Sequence, residues 1–478
     1  MSTKKILAIL FLASSIISCK KILNIDPQYS LDGRQLNSIE DYEFALTGVY
    51  AGFRSTSYYG ATDGASNAFA CLPDILSDNV NETGESLGNE RVFSRWAYAE
   101  DEAQIENTWI AGYRIISNAN IIENKVDEFA SDNQGATNRI KAQVLAIRAL
   151  AHFDLTRYFV DDYDRNSTKP GIPYITVFDY EQKPPRGTVK EDYDHIGQDL
   201  KTAKTLMSNM DHAINSSSSR AYIDANAVNA ILARVYLYGN QLDSAIKYAG
   251  LAIAARPLAS RTVFPDIWTD ASVTEVFWSC VFEAGQGTPG ANVYFPVTPA
   301  GSGRSQYRPN QTLVASYDPT NDVRYSSYFK VIASRLVLSK YLAKSAQLGK
   351  PDGVVNFKAF RTGEMYLIRA EAYARKGGAN EAAALADLNT LRAARIAGYV
   401  PVVLTGTALT DAIQDERRKE LMCEGHRFFD LKRTTRTLNR ANCTSFCTLA
   451  PTNRSWTWPI PQPEIDANPN ILPQNPGY

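Results

Sequence analysis

The stretch NAILARVYLYGNQLDSAIKYAGLAIAARP, residues 229–257, decides the fold. Leu232 and Tyr236 share one helical face with the small Ala233 beside them, and Ala245 and Ala252 repeat a small-residue stripe further on. Small residues let two helices approach closely, and a ring fills the groove between them. Between the two runs, Asn240-Gln241-Leu242-Asp243 reads as a turn, with Asp243 suited to cap the second helix and Pro257 closing the unit. The segment is therefore expected to form a tight helical hairpin.

Residues 366–392 repeat the spacing, with Tyr366, Ala370, Tyr373 and Ala382 at the same offsets and Lys376-Gly377-Gly378-Ala379-Asn380 as the turn. These offsets match the tetratricopeptide (TPR) pattern, from which the second copy departs at Arg369 and Asn389. A stripe of Ile147, Ala149, Ala151 and Leu155 marks another helix, whose partner near 190–207 follows an insertion containing Gly171-Ile172-Pro173. The stretches 38–54 and 104–126 supply a further pair. The expected fold is mainly α, with four TPR-like helix pairs near 38–126, 140–207, 225–257 and 360–396. Two other segments, 56–100 and 258–335, are rich in Gly, Ser, Asn, Pro and aromatics, with only short strand-like runs such as Glu275 to Phe282. Long loops of that kind are usually functional, so they are read as a ligand-binding lobe. Residues 409–478 form a C-terminal lobe whose Pro- and Asn-rich tail, 451–478, reads as chain lying over the surface.

The beginning of the chain carries an address. Lys4 and Lys5 precede an apolar run from Ile6 to Ile17, too short to span a bilayer, followed by Ser18 and Cys19. Residues 1–18 are read as a signal peptide and 19–36 as a linker that begins at a lipidated Cys19; 37–478 is then one unit. Ile16-Ile17-Ser18-Cys19 resembles the lipobox of bacterial lipoproteins, which implies acyl chains on the Cys19 thiol as the membrane anchor. The formal charge is −1, and −3 once Lys4 and Lys5 are removed, a balance that speaks against nucleic acid. Besides Cys19 there are five cysteines, of which Cys443 and Cys447 are spaced for a local bridge. The 26 tyrosines predict exposed rings.

Signatures of catalysis are sparse. His152, His195, His212 and His426 show no metalloprotease spacing, Gly301-Ser302-Gly303-Arg304 lacks the third glycine of a dinucleotide loop, and no D-x-D-x-D-G run offers a calcium site. No cofactor or metal is expected. A sugar site wants rings for the apolar C–H faces and amide, carboxylate or guanidinium groups for the hydroxyls. The first loop segment offers Asp74, Asp78, Asn79, Asn81, Arg91, Phe93, Arg95 and Trp96. The second offers Tyr294, Phe295, Arg304, Tyr307 and Arg308, while Trp268, Phe277 and Trp278 are assigned to the core. Asp78, Asn79, Trp96, Tyr294, Arg304 and Tyr307 are the candidate ligand residues. The charged run 411–433 reads as one helix laced by pairs such as Glu424–Arg427 and Arg427–Asp430, clamping the C-terminal lobe.

Several stretches together carry a family resemblance. They are Ala142 to Ala149, Phe153-Asp154-Leu155, Gly171-Ile172-Pro173, Glu364 to Ala372, Glu416-Arg417-Arg418, Glu424-Gly425, Pro459-Ile460-Pro461 and the ending Gln474-Asn475-Pro476-Gly477-Tyr478. In this order the chain resembles the SusD/RagB family of outer-membrane nutrient-binding lipoproteins of the Bacteroidetes. The resemblance implies a TPR-like helical scaffold with an irregular loop lobe and no enzymatic activity. It also implies an oligosaccharide ligand and a SusC-like TonB-dependent outer-membrane barrel as partner. The protein would sit lipid-anchored on the outer membrane, facing the exterior. The alternatives are a peptide or other nutrient as ligand, or a surface enzyme that degrades polysaccharide. Ligand residues of this family are not a fixed motif, so the site residues above rest on composition alone.

Overall fold

The computed structural model describes residues 36–61, 67–215, 219–283, 286, 289, 305–332, 334–342 and 354–478. The readings made for the signal segment, Cys19, Tyr294 and Arg304 lie outside these residues.

Eight long helices form the scaffold: α1 (Ile39–Gly52), α2 (Ala103–Glu123), α3 (Gln134–Phe159), α4 (Val189–Leu206), α5 (Ala225–Tyr238), α6 (Leu242–Ala255), α7 (Thr362–Lys376) and α8 (Glu381–Arg395). Each packs on the next in the chain, so the helices stack in sequence order. The opening stretch supplies α5 and α6, with Ala233, Ala245, Ala249 and Ala252 fully buried where the two helices meet their neighbours. Asp224 caps α5 by accepting from the Ala227 N–H, and Thr188 with Glu191 closes a capping box on α4. Asp243 does not cap α6 as expected; it lies in the first turn and its carboxylate pairs with Lys376 at the end of α7. The two departures of residues 366–392 from the repeat are used for polar bridging. Arg369 on α7 grips Asp387 on α8 at 2.8 and 2.7 Å. Asn389 accepts from the Tyr399 hydroxyl and the Val402 N–H, tying the following loop to α8.

Sheet is confined to four antiparallel two-stranded ladders among the described residues. They pair β1 (Val80–Glu82) with β3 (Tyr307–Pro309), β2 (Val276–Cys280) with β6 (Phe357–Arg361), β4 (Phe329–Ile332) with β5 (Arg335–Leu338), and β7 (Leu438–Asn439) with β8 (Thr448–Leu449).

The charged run is broken where one helix was expected. It forms α9 (Gly406–Glu420) and α10 (Arg427–Arg433), separated at Leu421 to His426. Cys423 and Gly425 both adopt left-handed backbone there, with φ of 57° and 81°. A Cβ at residue 425 would collide with the carbonyl oxygen of Phe69, so only glycine lets the two segments meet. The charges pair across the molecule more than along the helix. Glu424 takes Arg361 Nε and Lys340 Nζ, each at 2.6 Å. Arg324 spans Asp322, Glu416 and Glu420, and Arg395 links Glu275 to Glu420. Of the local pairs, Asp430 does bind Arg433, but its other oxygen goes to Arg417 and Arg427 turns to Asp78. These groups are buried, so their value lies in fixing one arrangement of α9 against β6 and α8 more than in net stabilisation.

The tail is also corrected. Trp456, Trp458, Ile460 and Ile471 are buried, and Trp458 stacks on Tyr158 of α3 at 3.6 Å between ring centroids. Its regular structure is limited to single helical turns at Arg454–Trp456, Gln462–Ala467 and Pro469–Ile471, and four apolar anchors draw it inward. The tyrosines likewise turn inward: Tyr42, Tyr58, Tyr59, Tyr98 and Tyr158 are fully buried, whereas Tyr180 is one of few large exposed rings. Trp268, Phe277 and Trp278 occupy the core as expected.

Candidate ligand-binding site

The β1–β3 ladder brings the two loop segments together. Val80 pairs with Pro309, Asn81 with Arg308 and Glu82 with Tyr307, although more than 220 residues separate them in the chain. A third segment joins them. The β7–β8 hairpin carries residues 440–447 against this ladder, and the Ala441 carbonyl accepts from Asn310 Nδ2 at 3.0 Å and Asn81 Nδ2 at 3.3 Å. Cys443 and Cys447 are joined by a disulfide, which closes the hairpin tip.

A cleft of about 420 Å³ opens between these three segments. Asn81, Glu82 and Thr83 line one side, Arg91, Ser94 and Arg95 a second, and Arg440 with Asn442 to Phe446 the third. Short side chains and amides dominate, which suits a ligand rich in hydroxyls. Phe446 stands on the rim, 48% exposed, held in left-handed backbone at φ 56° with the Arg95 guanidinium 5.6 Å from its ring centroid. An exposed ring in a polar cleft is equipped to stack on the C–H face of a sugar.

Arg440 fixes the floor. Its Nε donates to the Ser77 carbonyl at 2.7 Å, its Nη2 to Ile75 at 2.9 Å and its Nη1 to Phe446 at 3.2 Å and to Ser94, while the guanidinium lies 4.2 Å over the Trp96 ring. Burial holds its pKa down at about 10, against the pull of the Asp78 charge, and it makes no ion pair among the described residues. On the near wall Glu82 binds Arg91 at 2.7 Å and lies 3.8 Å from Arg95.

Four of the six candidate residues can be placed, and only Tyr307 lines the cleft. Its ring is buried and its hydroxyl donates to the Asn89 carbonyl at 2.8 Å, so it serves as wall with its polar atom occupied. Trp96 is 9% exposed, its indole N–H donates to the Leu76 carbonyl at 2.9 Å, and Arg440 covers its face. Asp78 and Asn79 lie beneath the cleft. Arg427 grips Asp78 through two bonds of 2.7 and 2.9 Å, and Arg418 adds a contact at 3.3 Å. Burial opposes the charge on Asp78, yet the two guanidiniums hold its carboxyl below the usual range. Asn79 accepts from Arg418 Nε at 2.8 Å and donates to Asp74 at 2.7 Å. Asp74 is fully buried and its carboxyl is pushed up to about 7 by burial, against the pull of Asn79 and the Cys423 N–H.

Asn81, Arg91 and Arg95 stood in the loop segment read from the sequence, but the 440–447 loop did not. Its signal was the Cys443–Cys447 spacing with Asn442 and Phe446 set among Thr and Ser. Among the described residues no group of three or more His, Cys, Asp or Glu is placed to hold a metal ion.

Comparison with known proteins agrees with this architecture. A SusD family model matches residues 291–478. A second, SusD-like model, described as starch-binding and associating with the outer membrane, matches residues 56–237. SusD-like protein P2 of Formosa agariphila is 23% identical, over 92% of this chain and 92% of that protein. A SusD superfamily protein from Bacteroides thetaiotaomicron superposes with a TM-score of 0.80 at 25% identity, covering 92% of this chain and 100% of that one. The surface glycan-binding protein A of Bacteroides fluxus shares the fold, with a TM-score of 0.74 at 20% identity over 92% of this chain and 100% of that one. Two matching SusD-type models at opposite ends of the chain, and one fold spanning both, place it in a single group: the chain belongs to the SusD/RagB family.

Proposed function

We propose that this protein binds oligosaccharide at the outer membrane, in the cleft between β1, β3 and the β7–β8 hairpin, and passes it to a SusC-like TonB-dependent barrel. The observation that carries the reading is the cleft itself: hydroxyl, amide and guanidinium groups converge on one open volume, with the Phe446 ring on its rim. The description of the matching family model as starch-binding and associating with the outer membrane supports the glycan ligand and the outer-membrane location.

Binding without turnover follows from the charges. A glycosidase needs two carboxylates flanking the scissile bond, one of them free to donate a proton. Among the described residues this cleft is lined by a single carboxylate, Glu82, already engaged by Arg91. The lipobox-like run Ile16-Ile17-Ser18-Cys19 supports attachment through acyl chains on Cys19, and the family resemblance supports a cleft facing the exterior.

The test is titration calorimetry of the purified full-length protein against a panel of glycans, with chromatography of the same mixtures for product. Saturable heat without new product is expected. Shortened product would overturn the binding role, and saturable binding of peptides but of no glycan would move the ligand class. Co-purification with a TonB-dependent barrel from solubilised outer membranes tests the partner.

A further inference from the structure

The cleft is electropositive in a protein whose formal net charge is −1. Among the described residues its charged lining consists of Arg91, Arg95 and Arg440 against Glu82 alone, an excess of two positive charges. The three guanidiniums are not equivalent. Arg91 binds Glu82 at 2.7 Å and is neutralised. Arg95, 42% exposed along its side chain, reaches the same carboxylate only at 3.8 Å and keeps most of its donors for the cleft. Arg440 spends its donors on four main-chain carbonyls and makes no ion pair among the described residues; the carboxylate whose charge reaches it, Asp78, is already held by Arg427 and Arg418.

An unneutralised guanidinium partly withdrawn from water is costly, and burial already works against its charge. Elsewhere in this molecule Arg324, Arg361, Arg395 and Lys340 all meet Asp or Glu, whereas Arg186 and Lys432, like Arg440, give their donors to main-chain carbonyls. What sets Arg440 apart from those two is that it lines an open cleft beside a second, largely free guanidinium, Arg95. At the cleft no matching acid stands among the described lining residues, and the cleft is open. A bound anion would supply it: the open guanidinium fork of Arg95 matches a pair of carboxylate or sulfate oxygens, while Arg440, its donors largely engaged, contributes its charge from the floor.

We infer that the ligand of this cleft is an acidic glycan, carrying uronate carboxylates or sulfate esters, that sets its anionic group between Arg95 and Arg440 and a ring face against Phe446. This deepens the oligosaccharide reading and rests on it. Glu82 then limits affinity, because it competes with the ligand for Arg91 and Arg95.

The experiment uses the purified full-length protein with oligogalacturonate, alginate, sulfated galactan and chondroitin sulfate, set against starch, xylan, β-glucan and neutral galactan. At least one acidic glycan is expected to bind about tenfold or more tightly than every neutral one, with affinity falling as salt rises. Comparing uronate with sulfate ligands identifies which anion is read. Arg95→Gln should weaken that ligand by about tenfold, the scale of one charge-assisted contact. Glu82→Gln should strengthen it several-fold, a gain that impaired folding cannot mimic. A neutral glycan bound as tightly as the acidic ones, and unaffected by Arg95→Gln, overturns the acidic ligand while leaving glycan binding intact. Failure of every glycan, acidic and neutral, overturns both.

Discussion

Replacing Asp78 by Asn strips the charge that two guanidiniums share while keeping the shape of the side chain. Arg427 holds both carboxylate oxygens, at 2.7 and 2.9 Å, and Arg418 lies 3.3 Å from one of them. The Asp78 and Arg427 side chains are 8% and 13% exposed, so solvent does little to screen the pair. Removing one partner of a buried pair typically costs 3–5 kcal/mol because the other charge is left uncompensated. Arg427 is not wholly buried and the amide oxygen keeps one bond, so the expected loss is about 3 kcal/mol. A chain of this length has an unfolding entropy of about 1 kcal/mol per kelvin, so Tm should fall by about 3 °C. Adding Arg427→Leu in the same background should return part of that loss, since it removes the stranded charge. Glycan affinity measured well below Tm should stay within about twofold, because Asp78 lies under the cleft and outside its lining. Scanning calorimetry and titration on the same preparations decide the matter. A Tm shift under 1 °C together with an affinity loss of about tenfold would refute the reasoning and make Asp78 a ligand contact.

Two more perturbations probe the frame around the cleft. Gly425→Ala forces a side chain into left-handed backbone and against the Phe69 carbonyl, so a loss of about 3 kcal/mol or more is expected in the denaturation midpoint; a loss below 1 kcal/mol would show that the two segments can part freely. The carboxyl of Asp74 ionises at about 7 when folded against an ordinary 3.8. Between those values the folded state binds the proton and the unfolded state does not, so this group makes stability fall as pH rises from about 4 to 7. Asp74→Asn should therefore cost more stability at pH 5 than at pH 8, by on the order of 1–4 kcal/mol, and a pH-independent difference between the two proteins would count against the shifted carboxyl.

Much of the scaffold was legible in the sequence, because it rests on local periodicity. Ala233, Ala245 and Tyr236 announce a close helical hairpin whatever else the chain does, and α5 and α6 follow within a residue or two. The helix pairs on either side and the strand at Val276–Cys280 were legible too, although α3 begins at Gln134, six residues before the stretch read as helical. The loop segments were also recognisable from their composition.

The site was not. Composition picks residue types that suit a sugar, but the direction in which each points depends on contacts made hundreds of residues away. Asp78 and Asn79 were claimed by Arg418 and Arg427 from α9 and α10, and Trp96 by Arg440. Helical spacing proposed Glu424–Arg427, yet the break at Gly425 turns each toward a different partner. Phe446 and Arg440 became site residues only because a disulfide-closed hairpin lands on the β1–β3 ladder. By itself the sequence determined the helices, whose hydrogen bonds and side-chain faces are set by neighbours three and four positions away. Only the tertiary structure decided which charges would face the cleft, since a guanidinium goes to whichever buried carboxylate or carbonyl the fold brings within reach.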